Sequence, residues 1–558
     1  MMPTTIDSAR ALLRAHRLAE AEAAARRLIA EDPGSVDARE ILVLAALARQ
    51  DHAAAEAGLR EILALAPDAG WARDDLARLL LDSGRPAEAE IEVRAAIAVD
   101  PGHADAHAML GAFLSGRERL VEGAWHLRRA IALAGRHPQI LANLARNLMR
   151  QGALDEASAM AAEALRAAPD LLAAAVLVVE IAEQGGDLDA AHRALDHATR
   201  LAARAGRDTL LLRATLLSQG PQWQEALALL DALPAMSGAA RLLRGRLRDR
   251  AGRHGEAWAD VVAGKAALAA AAGRRYDKAA VEAHFARLAA ITMPDAPRPA
   301  HREGPQPLFI LGMPRSGTTM AEQLLSSHGR IRAGGELPFT AELEDVAGRL
   351  TGSPFPQGFG QLSAADHHHL PALFRDVYLG RAEAYGLRQP GADFFTDKMP
   401  LNEIVLPLIR VAFPEAPLVA VRRHPLDTLV SIMMHDMTHG QDCGYRIEDA
   451  AHQLAAVSAL TETYRNRLGI APHVFCYERF VADQPGETDR LMAHVGLAAE
   501  PAQARFHENR RHAPTPSYAQ VREPLHARSI GRWKNYEEQL APILPIVDAA
   551  MQRGGYRA

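Results

Sequence analysis

An arginine, a glycine and three hydroxyl residues follow one another in Pro314-Arg315-Ser316-Gly317-Thr318-Thr319, between the apolar run Leu308 to Met313 and the helical run Met320 to Ser327. Strand, loop, helix is an anion-binding arrangement: free backbone N–H groups and the positive end of the helix dipole converge on the loop. Gly317 permits close approach, and Ser316, Thr318 and Thr319 offer hydroxyls. Measured against GxxxxGK[ST], the stretch from Gly312 supplies both glycines and Thr319, but Thr318 stands where lysine is required. The substitution argues against ATPase or GTPase chemistry, as does the lack of an evident acidic strand end for magnesium downstream. Arg315 is a different instrument, a guanidinium able to grip an anion with paired hydrogen bonds.

These residues need a sheet to hold them. The segment from Met293 to Pro307 reads MPDAPRPAHREGPQP, and its prolines disfavour both helix and central strand. Beyond it, the apolar runs Leu308 to Met313, Leu418 to Val421 and His473 to Tyr477 each precede a helix-like segment. This alternation predicts an α/β domain with a mostly parallel sheet over 307–558, preceded by a linker at 291–306.

Residues 1–290 follow another rule. Alanine recurs every 34 positions at Ala21, Ala55, Ala89, Ala157 and Ala191, with Gly123 at the remaining step. Pro33, Pro67, Pro101 and Pro169 each lie twelve residues after a phased alanine, where a helix should stop. A second small residue comes twelve positions before, at Ala9, Ala77, Gly111 and Ala145, while Val43 and Val179 break that column. Paired helices cross closely only where side chains are small, so the phase predicts stacked helix pairs, an α-solenoid. The pattern resembles tetratricopeptide repeats. Six units run in register to about residue 204, with looser helical material at 224–230 and 255–259. The resemblance implies binding of protein or peptide segments.

Composition narrows the remaining classes. A formal net charge of −5 gives no general pull toward nucleic acid or anionic membrane. Two cysteines cannot build a disulfide framework or a cysteine zinc site. With neither a signal core at the N-terminus nor an 18-residue apolar run, a cytoplasmic protein is expected. The i, i+4 pair His435 and His439 has zincin spacing, but Asp436 replaces the required glutamate, so no metal is expected. Lysine is confined to positions 265, 278, 398 and 534, which draws attention to Lys398.

PRSGTT after an apolar strand resembles the 5′-phosphosulfate loop of sulfotransferases. Val419 to Ser431, VAVRRHPLDTLVS, resembles that family's 3′-phosphate motif, with Arg423 at a strand end and Ser431 eight residues on. GGELP at Gly334 to Pro338, TDKMP at Thr396 to Pro400, CYERF at Cys476 to Phe480, then QVREP and GRWKNY complete a series most similar to the tyrosylprotein sulfotransferase branch and to bacterial repeat-fused sulfotransferases. The resemblance implies a P-loop-like sulfotransferase domain that uses 3′-phosphoadenosine 5′-phosphosulfate (PAPS) as donor, without a metal. It assigns Arg315, Ser316, Gly317, Thr318 and Thr319 to the 5′-phosphosulfate and Arg423 and Ser431 to the 3′-phosphate. Tyr477 is implied as a cofactor contact, Arg522 as a phosphate ligand and Ser517 as a sulfate contact. Glu336 is implied as the catalytic base, and Arg315 with Lys398 as the cations that meet the leaving oxygen. The acceptor would be a hydroxyl, a protein or peptide tyrosine among the candidates, with the repeats recruiting acceptor or partner. The alternative is a repeat scaffold whose C-terminal domain binds PAPS without turnover.

Overall fold

A computed structural model of the 558-residue chain describes residues 5–117, 119–293, 296–359, 364–437, 442–509, 521 and 523–557, the side chains of 364–367 excepted. The chain divides into two compact units, Met1–Thr209 and Leu210–Ala558.

The first unit is a run of helix pairs, from Ile6–Arg14 with Leu18–Glu31 to Leu172–Gly185 with Leu188–Arg204. The phased residues lie at the helix contacts: Ala9, Ala21, Ala55, Ala77, Ala89, Ala145, Ala157 and Ala191 are each 0% exposed. Gly111 and Gly123 show why the column excludes bulk. A β-carbon on Gly111 would stand 2.9 Å from the Gly123 carbonyl oxygen, and one on Gly123 would stand 2.8 Å from the Gly111 oxygen. Backbone rests on backbone there, so any side chain would push the helices apart. The prolines do what their position predicts: the helices Leu18–Glu31, His52–Leu65, Pro86–Val99 and Leu154–Ala167 each end two residues before one.

The second unit begins with two more helix pairs, Leu210–Gln219 with Trp223–Asp231 and Gly238–Arg250 with His254–Ala272, then a helix at Lys278–Ala289. A parallel sheet follows. Its strands are β1 (Gln306–Leu311), β2 (Ile331–Arg332), β3 (Phe394–Asp397), β4 (Leu418–Arg422) and β5 (His473–Cys476), in the order β2-β3-β1-β4-β5. Phe309 aligns with Asp397 on one side and Leu418 on the other, and Val419 aligns with His473. β1 is buried on both faces, as a central parallel strand must be. Leu308 and Ile310 pack with Leu324 and Phe475, whereas Phe309 and Leu311 pack with Phe339, Tyr378 and Phe413. The stretch from Phe339 to Gln389 carries the helices Phe339–Thr351 and Ala364–Ala384.

Candidate active site

The loop after β1 is held in backbone conformations that most side chains avoid. Gly312 has φ 150°, Arg315 φ 68° and Gly317 φ 106°. Glycine is required at 312, where a β-carbon would lie 2.9 Å from the Val421 carbonyl oxygen, and at 317, where it would lie 3.1 Å from the Tyr477 ring. Arg315 adopts the left-handed region without that freedom, a local strain of the kind that concentrates at functional sites. Gly317 is the N-cap of the helix Thr318–Ser326, so the free N–H groups of its first turn face the loop.

The loop arginine is pinned from β4 and the helix after it. Arg315 donates through Nε to the Ser431 hydroxyl at 3.1 Å, and its Nη2 lies 3.4 Å from His435 Nε2. His435 Nδ1 is 2.9 Å from the Ser431 carbonyl oxygen, which can only accept, so Nδ1 carries the proton. Burial, and then Arg315, hold the His435 imidazole well below its ordinary pKa. A neutral ring with Nδ1–H leaves Nε2 as the acceptor for Arg315. Arg423 donates through Nη1 to the Arg315 carbonyl at 3.2 Å, bonds the Ser529 carbonyl, and sets its guanidinium 5.1 Å from the centre of the Tyr477 ring.

Four of the expected residues, Arg315, Arg423, Ser431 and Tyr477, thus share one network. It carries an excess of positive charge: burial first, then Arg423, Arg246 and Arg532, push the Arg315 guanidinium down to about 9. Ser316 Oγ and Arg423 Nε are buried without a hydrogen-bond partner among the described residues. Crowded cations with unsatisfied donors at a helix N-terminus suit an anionic ligand such as a phosphosulfate. A cavity of about 100 Å³ adjoins Ser316 and Arg423, with Met313, Arg422, Thr428 and Glu403 in its wall.

Glu336 and Lys398 form a second cluster, an ion pair in which Lys398 Nζ bonds Glu336 Oε1. Lys398 is 1% exposed and Glu336 28%. Their two motifs are fastened by a residue that sequence reasoning missed. Glu322, on the loop helix, accepts the Gly335 N–H at 2.9 Å and the Thr396 hydroxyl at 2.6 Å, while Thr396 Oγ1 accepts the Gly334 N–H at 3.0 Å. Lys398 N–H donates to the Gly335 carbonyl at 2.8 Å. The path returns to the loop after β1 at Leu401, whose N–H donates to the Gly312 carbonyl at 3.2 Å. Burial pushes the Glu403 carboxyl up to about 7, partly offset by the nearby backbone of Glu403 and Gly312.

No described contact joins Arg315 directly to the Glu336–Lys398 pair. Thr318 and Thr319 are buried in the first turn of the loop helix. Ser517 and Arg522 lie outside the described residues, as does His439. His435, read in the sequence only as half of a rejected zinc pair, is instead part of the arginine network. The signal that could have found it is its spacing: four residues after Ser431 puts it on the same helix face.

Residues 307–501 match the sulfotransferase family model, and residues 46–113 match a tetratricopeptide-repeat model. An uncharacterized protein of Aquifex aeolicus (strain VF5) is 28% identical over 255 residues, 44% of this chain and 33% of that protein. The nodulation protein NoeE of Sinorhizobium fredii is 31% identical over 134 residues, 23% of this chain and 32% of that protein. The chain spans about a third of the length of these curated relatives. Among solved structures, the tetratricopeptide protein YrrB, described with an unusual peptide-binding site, is 17% identical over 30% of this chain and 87% of its own, with a TM-score of 0.27. PilW, a type IV pilus biogenesis factor, is 19% identical over 40% of this chain and 96% of its own, with a TM-score of 0.31.

Proposed function

From a chain that joins a tetratricopeptide-repeat array to a sulfotransferase-family domain, we propose a PAPS-dependent sulfotransferase acting on a hydroxyl acceptor. One observation carries this reading: the buried Arg315 and the half-buried Arg423 meet at the N-terminus of the loop helix with the unsatisfied donors Ser316 Oγ and Arg423 Nε beside them. The absence of a P-loop lysine at Thr318 separates the site from ATP and GTP chemistry.

In this reading the acceptor oxygen attacks sulfur, the bond from sulfur to the 5′-phosphate oxygen breaks, and adenosine 3′,5′-bisphosphate leaves. Glu336 takes the acceptor proton as the new bond forms. Arg315 and Lys398 offset the charge that grows on the leaving oxygen, and Arg423 with Ser431 holds the 3′-phosphate. The remaining loop residues, Ser316 to Thr319, seat the 5′ end. A tyrosine on a protein or peptide is the acceptor suggested by the motif series.

The repeats would recruit that acceptor or a partner. Their helices enclose a groove of about 820 Å³ walled by Leu81, Met109, Phe113 and Ile140 with Arg78 and Asp105 at its sides, a mixture suited to a peptide.

Donor labelled in its sulfuryl sulfur, incubated with the full chain and fractionated cell extract, tests the reading. Label should pass to a hydroxyl-bearing component with release of one adenosine 3′,5′-bisphosphate per transfer. Donor binding with no transfer to any fraction would favour the scaffold alternative.

A further inference from the structure

Two cations from the helix pair Gly238–Arg250 and His254–Ala272, which precedes the sulfotransferase-matched segment, reach into the arginine network. Arg246 donates through Nη1 to the Met434 carbonyl at 3.1 Å, and Lys265 Nζ donates to the His435 carbonyl at 2.5 Å. Lys265 is 0% exposed. Met434 is the last residue of the helix Pro425–Met434, and His435 is its C-cap. The carbonyls at a helix C-terminus have no partner within the helix, and cations there are favoured by the dipole. Arg246 and Lys265 therefore cap, from another part of the chain, the helix whose last turns present Ser431 and His435 to Arg315.

The docking is extensive. Leu242 and Val261 of the hairpin belong to the same apolar core as Leu426, Leu429 and Trp533. Asp249 bonds the Tyr536 hydroxyl and pairs with Arg532 at 2.6 Å. Within the hairpin, Gly264 packs its α-carbon against the Gly238 carbonyl, where a β-carbon would stand 2.9 Å away. That closeness fixes how far each long side chain extends.

We infer that this helix pair is part of the donor site, with Lys265 and Arg246 as positioning residues that hold Ser431, His435 and through them Arg315 in register for the donor. The inference rests on the sulfotransferase reading for the ligand, but the positioning itself can be read without it.

The test uses the full chain with Lys265→Met, Lys265→Gln, Arg246→Met and, as a control on the same hairpin, Arg253→Ala, whose guanidinium pairs with Glu256 at an exposed site. Amide hydrogen exchange over 312–319 and 431–436 and calorimetric titration with adenosine 3′,5′-bisphosphate are the readouts. Lys265→Met and Arg246→Met should speed exchange in both segments while β1 stays protected, and should weaken nucleotide binding about tenfold. Lys265→Gln, which restores an N–H donor, should recover part of the loss, and Arg253→Ala should change neither. If Lys265→Met does not fold, Arg246→Met alone carries the same expectation. Unchanged exchange and unchanged affinity in folded methionine variants would overturn the inference. If the wild type fails to bind the nucleotide while exchange still responds, the donor reading falls and the positioning stands.

Discussion

Arg315 and Ser431 are 116 positions apart in the chain and 3.1 Å apart in space, with the guanidinium Nε donating to the hydroxyl. The serine that the motif resemblance assigns to the 3′-phosphate thus holds the arginine it assigns to the 5′ end, and under the proposed function one side chain would serve both halves of the nucleotide. Ser431→Ala removes the bond and leaves Arg315 buried with one donor fewer satisfied. A buried hydrogen bond of this type is worth on the order of 1 kcal/mol, more when one partner is charged. Affinity for adenosine 3′,5′-bisphosphate should fall about fivefold to twentyfold, measured by calorimetry, with little change in overall fold.

Glu336→Gln should keep donor binding and lose turnover by roughly a hundredfold or more, the usual scale for a general base. The amide can still accept from Lys398, so thermal stability should fall only modestly. Glu336→Ala should behave differently, because it strands Lys398, 1% exposed, without its carboxylate. Removing one partner of an ion pair whose cation is buried leaves that charge uncompensated, so the alanine variant should lose more stability than the glutamine variant. Single-turnover kinetics and a thermal melt on both variants separate the two effects.

Much of this was legible in the sequence where information is local or periodic. The loop reads directly because Gly312, Arg315 and Gly317 are contiguous, and the repeats read because the small residues keep phase. β3 was missed: Phe394–Asp397 is four residues long and ends in Thr396 and Asp397, so it lacks an apolar run. Glu322 was missed because its partners, Gly335 and Thr396, are 13 and 74 positions away. Arg246 and Lys265 were missed because their carbonyl partners lie 188 and 170 positions on, and a main-chain acceptor leaves no mark in the side-chain sequence.

Stability should depend on pH through Glu403. Burial raises its pKa from 4.5 to about 7, so between those values the folded state binds more protons than the unfolded state. Stability therefore falls as pH rises through that interval and levels off above about 7. Glu403→Gln removes this contribution. The difference between wild-type and variant denaturation midpoints should change across pH 4.5 to 7, with the variant gaining toward the upper end; a difference curve that is flat would place the titration elsewhere.

Truncation should respect the unit boundary at Thr209 and Leu210. A chain beginning at Leu210 keeps the helix pair that covers Leu426, Leu429 and Trp533, and should melt cooperatively and bind nucleotide. A chain beginning at His301 loses Leu242 and Val261 from that core and exposes a contiguous apolar face, so it should aggregate or melt without cooperativity. Circular dichroism melts of the two chains check this.

Calorimetric titration of the full chain with PAPS and with adenosine 5′-phosphosulfate, repeated on Arg423→Ala, addresses the donor assignment most directly. The wild type should bind the 3′-phosphorylated donor at least about tenfold more tightly, because Arg423 and Ser431 would meet that phosphate with charge-assisted hydrogen bonds, and Arg423→Ala should erase most of the difference. Equal affinity of the wild type for the two nucleotides, or strong magnesium-dependent binding of ATP in their place, would contradict it.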